Sequence, residues 1–558
     1  MVHKLERKAA GEPPGSPEPF IAATIRSLIE LQKEETQLTI PDGSLIGRVR
    51  YDRFGKEFYS FQSIPFAKPP VGHLRFKDPV ENEPWLGIRD ATQDVPECVQ
   101  ISGSNIIGQE DCLYLNVYTP KLHKNESNLL PVMVFMHGGG FTIGSARDGV
   151  YGPEFLITED IVLVNLNYRL SMFGFFSLDD PSFGAPGNAG LKDQRLALEW
   201  VQRNIEYFGG DPDQVTIYGQ SAGGASVHLH VLSPQSKGLF SKAIMQSGVG
   251  TMLTGVQNNG LYLAQVLGVT TDDAMEMFLT LQYLPPQFIM QGFLLLTQMY
   301  PMRWRGFSNP IVEKHKETAF LPDDPMKIIR EGNYNKVPMM IGYTDAEGIF
   351  YEQSIRNLTG EPQPVTDFFA FVPDELGVLP GTPEALKLAE EIKEFYQGDV
   401  EISPDFMLPL IHISTDTMFA FPARRAAVEH VKNNEYPVYF YRFSADSELN
   451  IFKRRDSISM GFLGAGHADD LGYLFKMVTS PEILNGSVED IALQRVNGIW
   501  GSFAKHSHPL VVGDHWEPVL DGVLNYMDIG TFRDISGVNP DEESMNFWLD
   551  IFERFGVL

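Results

Sequence analysis

Cysteine is nearly absent: the chain of 558 residues holds two, Cys98 and Cys112. That is too few for a disulfide-built scaffold; oxidised, they would close a short loop, and in a reducing cytosol they are two thiols. Basic residues are scarce as well, 44 Lys and Arg against 72 Asp and Glu, for a formal charge of −28 spread along the chain. A phosphate backbone and an anionic membrane surface are both repelled by such a protein, which excludes nucleic acid as a partner. No window reaches the roughly 18 to 20 uncharged apolar residues of a membrane span. The opening "MVHKLERKAAGEPPGSPEPF" has no apolar core of a signal peptide, so the expected location is the cytoplasm. Phe20 to Gln32, "FIAATIRSLIELQ", carries Arg26 and Glu30 at helical spacing and reads as an amphipathic helix.

Linkers, charge blocks and repeats are missing after about residue 35. Length alone would allow three or four domains, yet this continuity predicts an N-terminal extension over 1–37 and one large domain over 38–558. Sequons stand at Asn125, Asn357 and Asn485 and matter only in the secretory route.

Apolar content is ample, at 43%. "PVMVFMHGG", "DIVLVNLNY", "DQVTIYG", "KAIMQSG", "VPMMIGYT" and "PVYFYRF" are short runs of buried-strand character, and Leu191 to Ile205 has helical spacing between two of them. Strand alternating with helix predicts an α/β fold with a mostly parallel sheet covered on both faces. Ligands then sit beyond the carboxyl ends of the strands.

The motifs fall there. Gly219-Gln220-Ser221-Ala222-Gly223, between the strand "VTIYG" and the helical "AGGASVHLHVL", fits G-x-S-x-G, where the turn is so sharp that the serine's neighbours must be small. Such a serine is a nucleophile or a helix cap, and the nucleophile needs a base and an anion-stabilising pocket. "MHGGGF" after a predicted strand supplies backbone N–H groups: Gly139, Gly140 and Ala222 are the expected oxyanion donors. Of thirteen histidines, His467 in "GAGHADDLGYLF" lies in a small-residue loop late in the chain, as the order Ser, acid, His requires. Asp345 and Glu347 in "GYTDAEGIF" both qualify as the acid, and spacing does not choose between them. His228 and His230 lack a carboxylate or cysteine cluster and read as packed or surface residues rather than ligands.

With "SFQSIPFAKPPVGHLRF", "EDCLYLNVYTP", "NYRLSMFGFFSL", "GNAGLKDQRLALEWVQRNIEYFGGDPDQVTIYGQSAGGASV" and "LFSKAIMQSG" beside them, these motifs make the chain resemble the type-B carboxylesterases of the cholinesterase/carboxylesterase family from about residue 38 to the end. The resemblance implies the α/β-hydrolase fold, Ser221 as nucleophile, Glu347 as acid and His467 as base, with no metal or cofactor. It also implies ion pairs of Arg75 with Glu110 and Arg169 with Asp193, and a disulfide between Cys98 and Cys112. The implied activity is serine carboxylesterase, turning over apolar small-molecule esters in detoxification and trapped by organophosphates.

The departures qualify this. Gln220 replaces the usual glutamate, a feature shared with juvenile hormone esterases and some other insect esterases, and Gly224 replaces the usual alanine. The segment between the two cysteines, where choline-specific members carry a tryptophan, has no aromatic residue, so choline esters are not expected substrates. The missing leader resembles intracellular detoxification esterases, whereas Gln220 points to hormone hydrolysis. A non-catalytic or sequestering relative is the alternative of another class. Thr251 to Lys327, rich in Met, Phe and Leu, reads as a packed helical cap or as the wall of an apolar pocket.

Overall fold

A computed structural model of the chain describes residues 35–557, apart from 123–127, 253–254, 301–304, 352, 354–366, 401–406 and 456–457. The helix expected over 20–32 and the sequons at Asn125 and Asn357 lie outside the described residues, while Asn485 is exposed in a turn. One 13-stranded sheet runs through the molecule, twelve strands in a continuous path and the short Ile88–Asp90 paired beside Gly43–Tyr51. Its antiparallel edge is β1 (Glu35–Ile40), β2 (Gly43–Tyr51), β3 (Glu57–Pro65) and β4 (Tyr114–Thr119). The parallel centre comprises β5 (Leu130–Met136), β6 (Val162–Leu166), β7 (Gly210–Gln220), β8 (Lys242–Gln246), β9 (Met339–Thr344), β10 (Val438–Phe443) and β11 (Asn525–Ile529). An antiparallel β12 (Asp534–Val538) closes the far edge, in the order β1-β2-β3-β4-β6-β5-β7-β8-β9-β10-β11-β12.

All six strands expected from the sequence are present, in the parallel centre. Every residue of β6, β8 and β9 is buried, the signature of strands covered on both faces. Side chains alternate between the faces with period two. Val132 and Val134 join one core with Leu198, Trp200 and Val227. Met133 and Phe135 join the other with Leu493, Ile499 and Trp500. The first core is covered by α1 (Ala189–Asn204) and α2 (Ala222–Leu232). In the middle segment, α3 (Ala274–Tyr283) and α4 (Pro286–Met299) bury Phe278, Met290 and Phe293 against Phe173 and Phe176 as a helical cap. Helix α5 (Phe421–Val431) packs on the first core and α6 (Val488–His506) on the second. Sheet and helices together make the α/β-hydrolase fold.

Two buried imidazoles join α2 to α5. Gly250 N–H donates to His228 Nδ1 at 2.9 Å, which leaves the proton on Nε2, 2.8 Å from His430 Nε2. His430 must then carry its own proton on Nδ1, a buried atom with no partner among the described residues. Burial pushes His228 down to about 3 and His430 well below the ordinary histidine range, the latter with help from His228. Both are therefore neutral in the fold, and below about pH 6.5 the unfolded chain takes up protons that the folded pair refuses, so their contribution to stability falls on acidification. The expected slope is up to about 1.4 kcal/mol per pH unit for each imidazole. A double variant, His228→Asn with His430→Asn, should show a shallower acid limb in urea unfolding between pH 6.5 and 4.5 than wild type. Asp345, Asp416 and Asp469, each raised to about 7 by burial, drive the opposite trend in both proteins, so the difference isolates the pair. Parallel limbs would refute this account.

Candidate active site

Ser221 stands at the carboxyl end of β7, where the chain turns into α2. Its backbone, φ 60° and ψ −125°, lies in a region that costs a non-glycine residue about 1–3 kcal/mol and persists only when neighbours enforce it. The enforcing contacts are visible. Ser221 N donates to Gln246 O at 2.8 Å, and Ser221 O accepts from Ala225 N at 2.9 Å. Glycine is obligatory where β5 and the elbow touch: a Cβ at Gly223 would lie 1.9 Å from Met136 O. The unusual Gly224 has a similar reason, since a Cβ there would lie 2.7 Å from Gln246 O.

The glycine loop after β5 lies against the elbow. A Cβ at Gly138 would come within 3.0 Å of Ser221 Cβ. Gly139 has φ 108° and Gly140 φ 60°, which turn this segment around; Thr142 N and Ile143 N both donate back to Gly139 O. Among the described residues the N–H groups of Gly139, Gly140 and Ala222 donate to no protein acceptor. Gly139 is half-buried, Gly140 exposed and Ala222 buried, and three free backbone donors of this kind suit an anion.

On the other side, His467 Nδ1 is 2.5 Å from Glu347 Oε2. Thr344 N donates to the other oxygen of Glu347 at 2.8 Å, so the fully buried carboxylate is held on both sides. Asp345, the alternative acid, does not touch His467; its Oδ1 accepts from Ala465 N at 2.7 Å. Phe419 and Phe350 flank the imidazole, with ring centroids 4.6 and 5.3 Å away. Gln220 places its amide nitrogen 3.2 Å from His467 Nε2 and 3.4 Å from Nδ1. An amide nitrogen nearly equidistant from both ring nitrogens lies along the lone pair of neither, so this amide marks a close approach rather than a well-directed bond. Among the described residues Ser221 Oγ has no hydrogen-bond partner; in unliganded sites of this kind such bonds are often long and tighten with substrate.

Elbow and histidine loop are also joined underneath. Gln246, which receives Ser221 N on its carbonyl, donates from its side chain to Asp470 at 2.6 Å and accepts from Trp500 Nε1 at 3.2 Å. Burial raises Asp470 to about 6, with Gln246 pulling it back. Gln246 and Asp470 lie inside the motifs "LFSKAIMQSG" and "GAGHADDLGYLF" and Phe419 lies in none, but no motif tells what these residues touch, because their neighbourhood is built from segments far apart in sequence. Arg75 meets Glu110 with two bonds of 2.5 and 2.6 Å, and Arg169 meets Asp193 through three of 2.7–3.0 Å. Cys98 and Cys112 are disulfide-bonded. His230 is buried against Ser236 and Gln194, away from any ligand set. Among the described residues no cluster of His, Cys, Asp or Glu is arranged to hold a metal ion, and no helix is long and apolar enough to cross a membrane.

Residues 34–548 match the model of the carboxylesterase family. The chain belongs to the carboxylesterase family. It is 36% identical over 503 residues to esterase FE4 of Myzus persicae, covering 87% of this chain and 86% of that protein. Juvenile hormone esterase of Tribolium castaneum is 34% identical over 503 residues, covering 84% and 83%. The crystal structure of juvenile hormone esterase from Manduca sexta, with OTFP covalently attached, superposes with a TM-score of 0.80 at 30% identity, covering 94% of this chain and all of that one. This carboxylesterase is a carboxylic ester hydrolase. Its elbow geometry predicts that Gly223→Ala, by forcing Met136 O or the turn to move, should lower kcat on a 4-nitrophenyl ester by about 100-fold in a protein that still folds. Wild-type kcat in that variant would show that the turn is not held by this contact.

Proposed function

We propose that the chain is a serine carboxylesterase for apolar esters, built as a single domain from about residue 38 and working through an acyl-enzyme on Ser221. His467 takes the Ser221 proton as Oγ attacks the ester carbonyl, while Glu347 fixes the imidazole's tautomer and stabilises its charge. Gly139, Gly140 and Ala222 donate to the oxyanion. The carbonyl–oxygen bond to the alcohol then breaks, and His467 returns the proton to the leaving alkoxide. Water, deprotonated by the same imidazole, attacks the acyl-enzyme and releases the acid. What supports this assignment above all is the Glu347–His467 contact of 2.5 Å set beside the strained serine turn. Detoxification of lipid-like or foreign esters is the proposed role. Hydrolysis of juvenile hormone is a second reading, favoured by Gln220 at the turn. A non-catalytic or sequestering relative is disfavoured by the complete set of side chains. For location, the cytoplasm is proposed from the sequence, although a disulfide is at home in oxidising compartments. Thiol trapping of Cys98 and Cys112 in fractionated cells distinguishes the two.

Ser221→Ala removes one oxygen at a turn and should lower esterase turnover by about 10³-fold or more without altering the melting profile. A folded variant with wild-type turnover would overturn the mechanism. A dialkyl phosphate reagent carries a phosphoryl oxygen for the same donors, and its adduct places substituents where the hydrolytic water would approach, so release should be slow. Intact-mass spectrometry should find one phosphoryl group per chain, on Ser221. A label on Ser247, or esterase activity that survives without a label, would refute the assignment.

A further inference from the structure

The acid and the base of this site come from segments 120 residues apart, and two further contacts between the same segments set how they meet. Asp345 Oδ1 accepts from Ala465 N at 2.7 Å, and Ala346 N donates to Ala465 O at 3.0 Å. Glu347 lies two residues beyond Asp345, and His467 two residues beyond Ala465, so one register governs both pairs. Asp345 is itself anchored, its N–H donating to Phe443 O at 3.0 Å at the end of β10. Gly464, at φ 90°, admits the carboxyl: a Cβ there would lie 2.7 Å from Asp345 Oδ1. The adjacent amide, Gly466 N, donates to Asp469 Oδ2 at 2.7 Å, and Lys453 Nζ donates to Gly464 O at 2.6 Å. The histidine loop is thus held from three sides, and Asp345 is the side chain that ties it to the segment bearing Glu347.

We propose that Asp345 is a positioning residue for the ester hydrolysis, a clasp whose acceptor oxygen fixes the register of Glu347 against His467. It acts through the backbone of Ala465 and does not touch the reacting atoms. An acceptor oxygen is what the clasp needs, not a charge. Burial raises this carboxyl to about 7, opposed by Ala465 N–H and Arg442 and aided by Asp528 and Asp541, so near neutral pH both protonation states are populated and either one presents an oxygen to the amide. The proposal rests on the catalytic roles assigned above to Glu347 and His467.

Two near-isosteric variants test it. Asp345→Asn keeps the acceptor without the charge and should retain kcat within about threefold, whereas Asp345→Leu keeps the volume without the acceptor. In Asp345→Leu kcat should fall by about 10- to 100-fold with KM changed less than about twofold, the pattern of a displaced catalytic pair rather than a damaged pocket. Asp345→Ser, with a shorter reach, should fall between them and replaces the leucine variant if that one does not fold. Equal losses in Asn and Leu variants, or wild-type kcat in folded Leu or Ser variants, would overturn the clasp. A rise in KM with kcat retained would assign Asp345 to substrate binding and overturn it too. Wild type and Ser221→Ala run alongside: an inactive wild type would bring down the reading of the site itself, whereas an active wild type with unaffected Asp345 variants would remove the clasp alone.

Discussion

The forced backbone at Ser221 is the constraint on which the rest of the site depends. A serine at φ 60° and ψ −125° relaxes unless something prevents it, and here the prevention comes from β5, β8 and α2 together. Met136 O, Gln246 O and Ala225 N close on the turn from three directions. Because the holding groups are backbone atoms of a buried parallel sheet and of the buried helix that follows it, they do not yield as a surface loop would. The hydroxyl's placement is therefore a property of the sheet's spacing, and the small residues around the serine are what that spacing leaves room for.

The histidine side of the site is held by different physics. Its loop has no strand to ride on, and the structure fixes it with buried polar groups: Asp345 and Asp469 on consecutive amides, Lys453 on a carbonyl, and Asp470 through Gln246 back to the elbow. Each carboxyl is lifted toward neutrality by burial and each has a donor to meet, as buried polar groups require. Such a network is precise when satisfied and fails when one partner is lost. A rigid turn on one side and a hydrogen-bonded cradle on the other bring Gln220, Ser221 and His467 to the same place.

The acidic residues of the site are engaged within the protein, and the acidic surplus of the chain lies elsewhere. The carboxyls near it, Glu347, Asp345, Asp469 and Asp470, are each engaged by a protein donor, and beyond them stand the rings of Phe350 and Phe419 beside the imidazole and the free N–H groups of Gly139, Gly140 and Ala222. That suits an uncharged substrate whose carbonyl gains charge only in the transition state, where oriented dipoles act without reorganising. Net charge instead governs solubility and the partners the surface rejects.

The sequence by itself determined the fold class, the strands of the parallel centre and the serine turn, because these are local: alternation with period two, covered apolar runs and a small-residue turn are written within a dozen residues. It also placed His467 by chain order, and it left Asp345 and Glu347 level, since two carboxyls two residues apart look alike in a string. That holds for spacing alone; the family resemblance favoured Glu347, and the tertiary structure puts Glu347 on the imidazole and Asp345 on the loop that carries it. Gln246, Asp470, Phe419 and the paired His228 and His430 had no legible role for the same reason. Their partners are 22 to 254 residues distant along the chain, and a contact of that kind exists only once the sheet has fixed where each strand end lies.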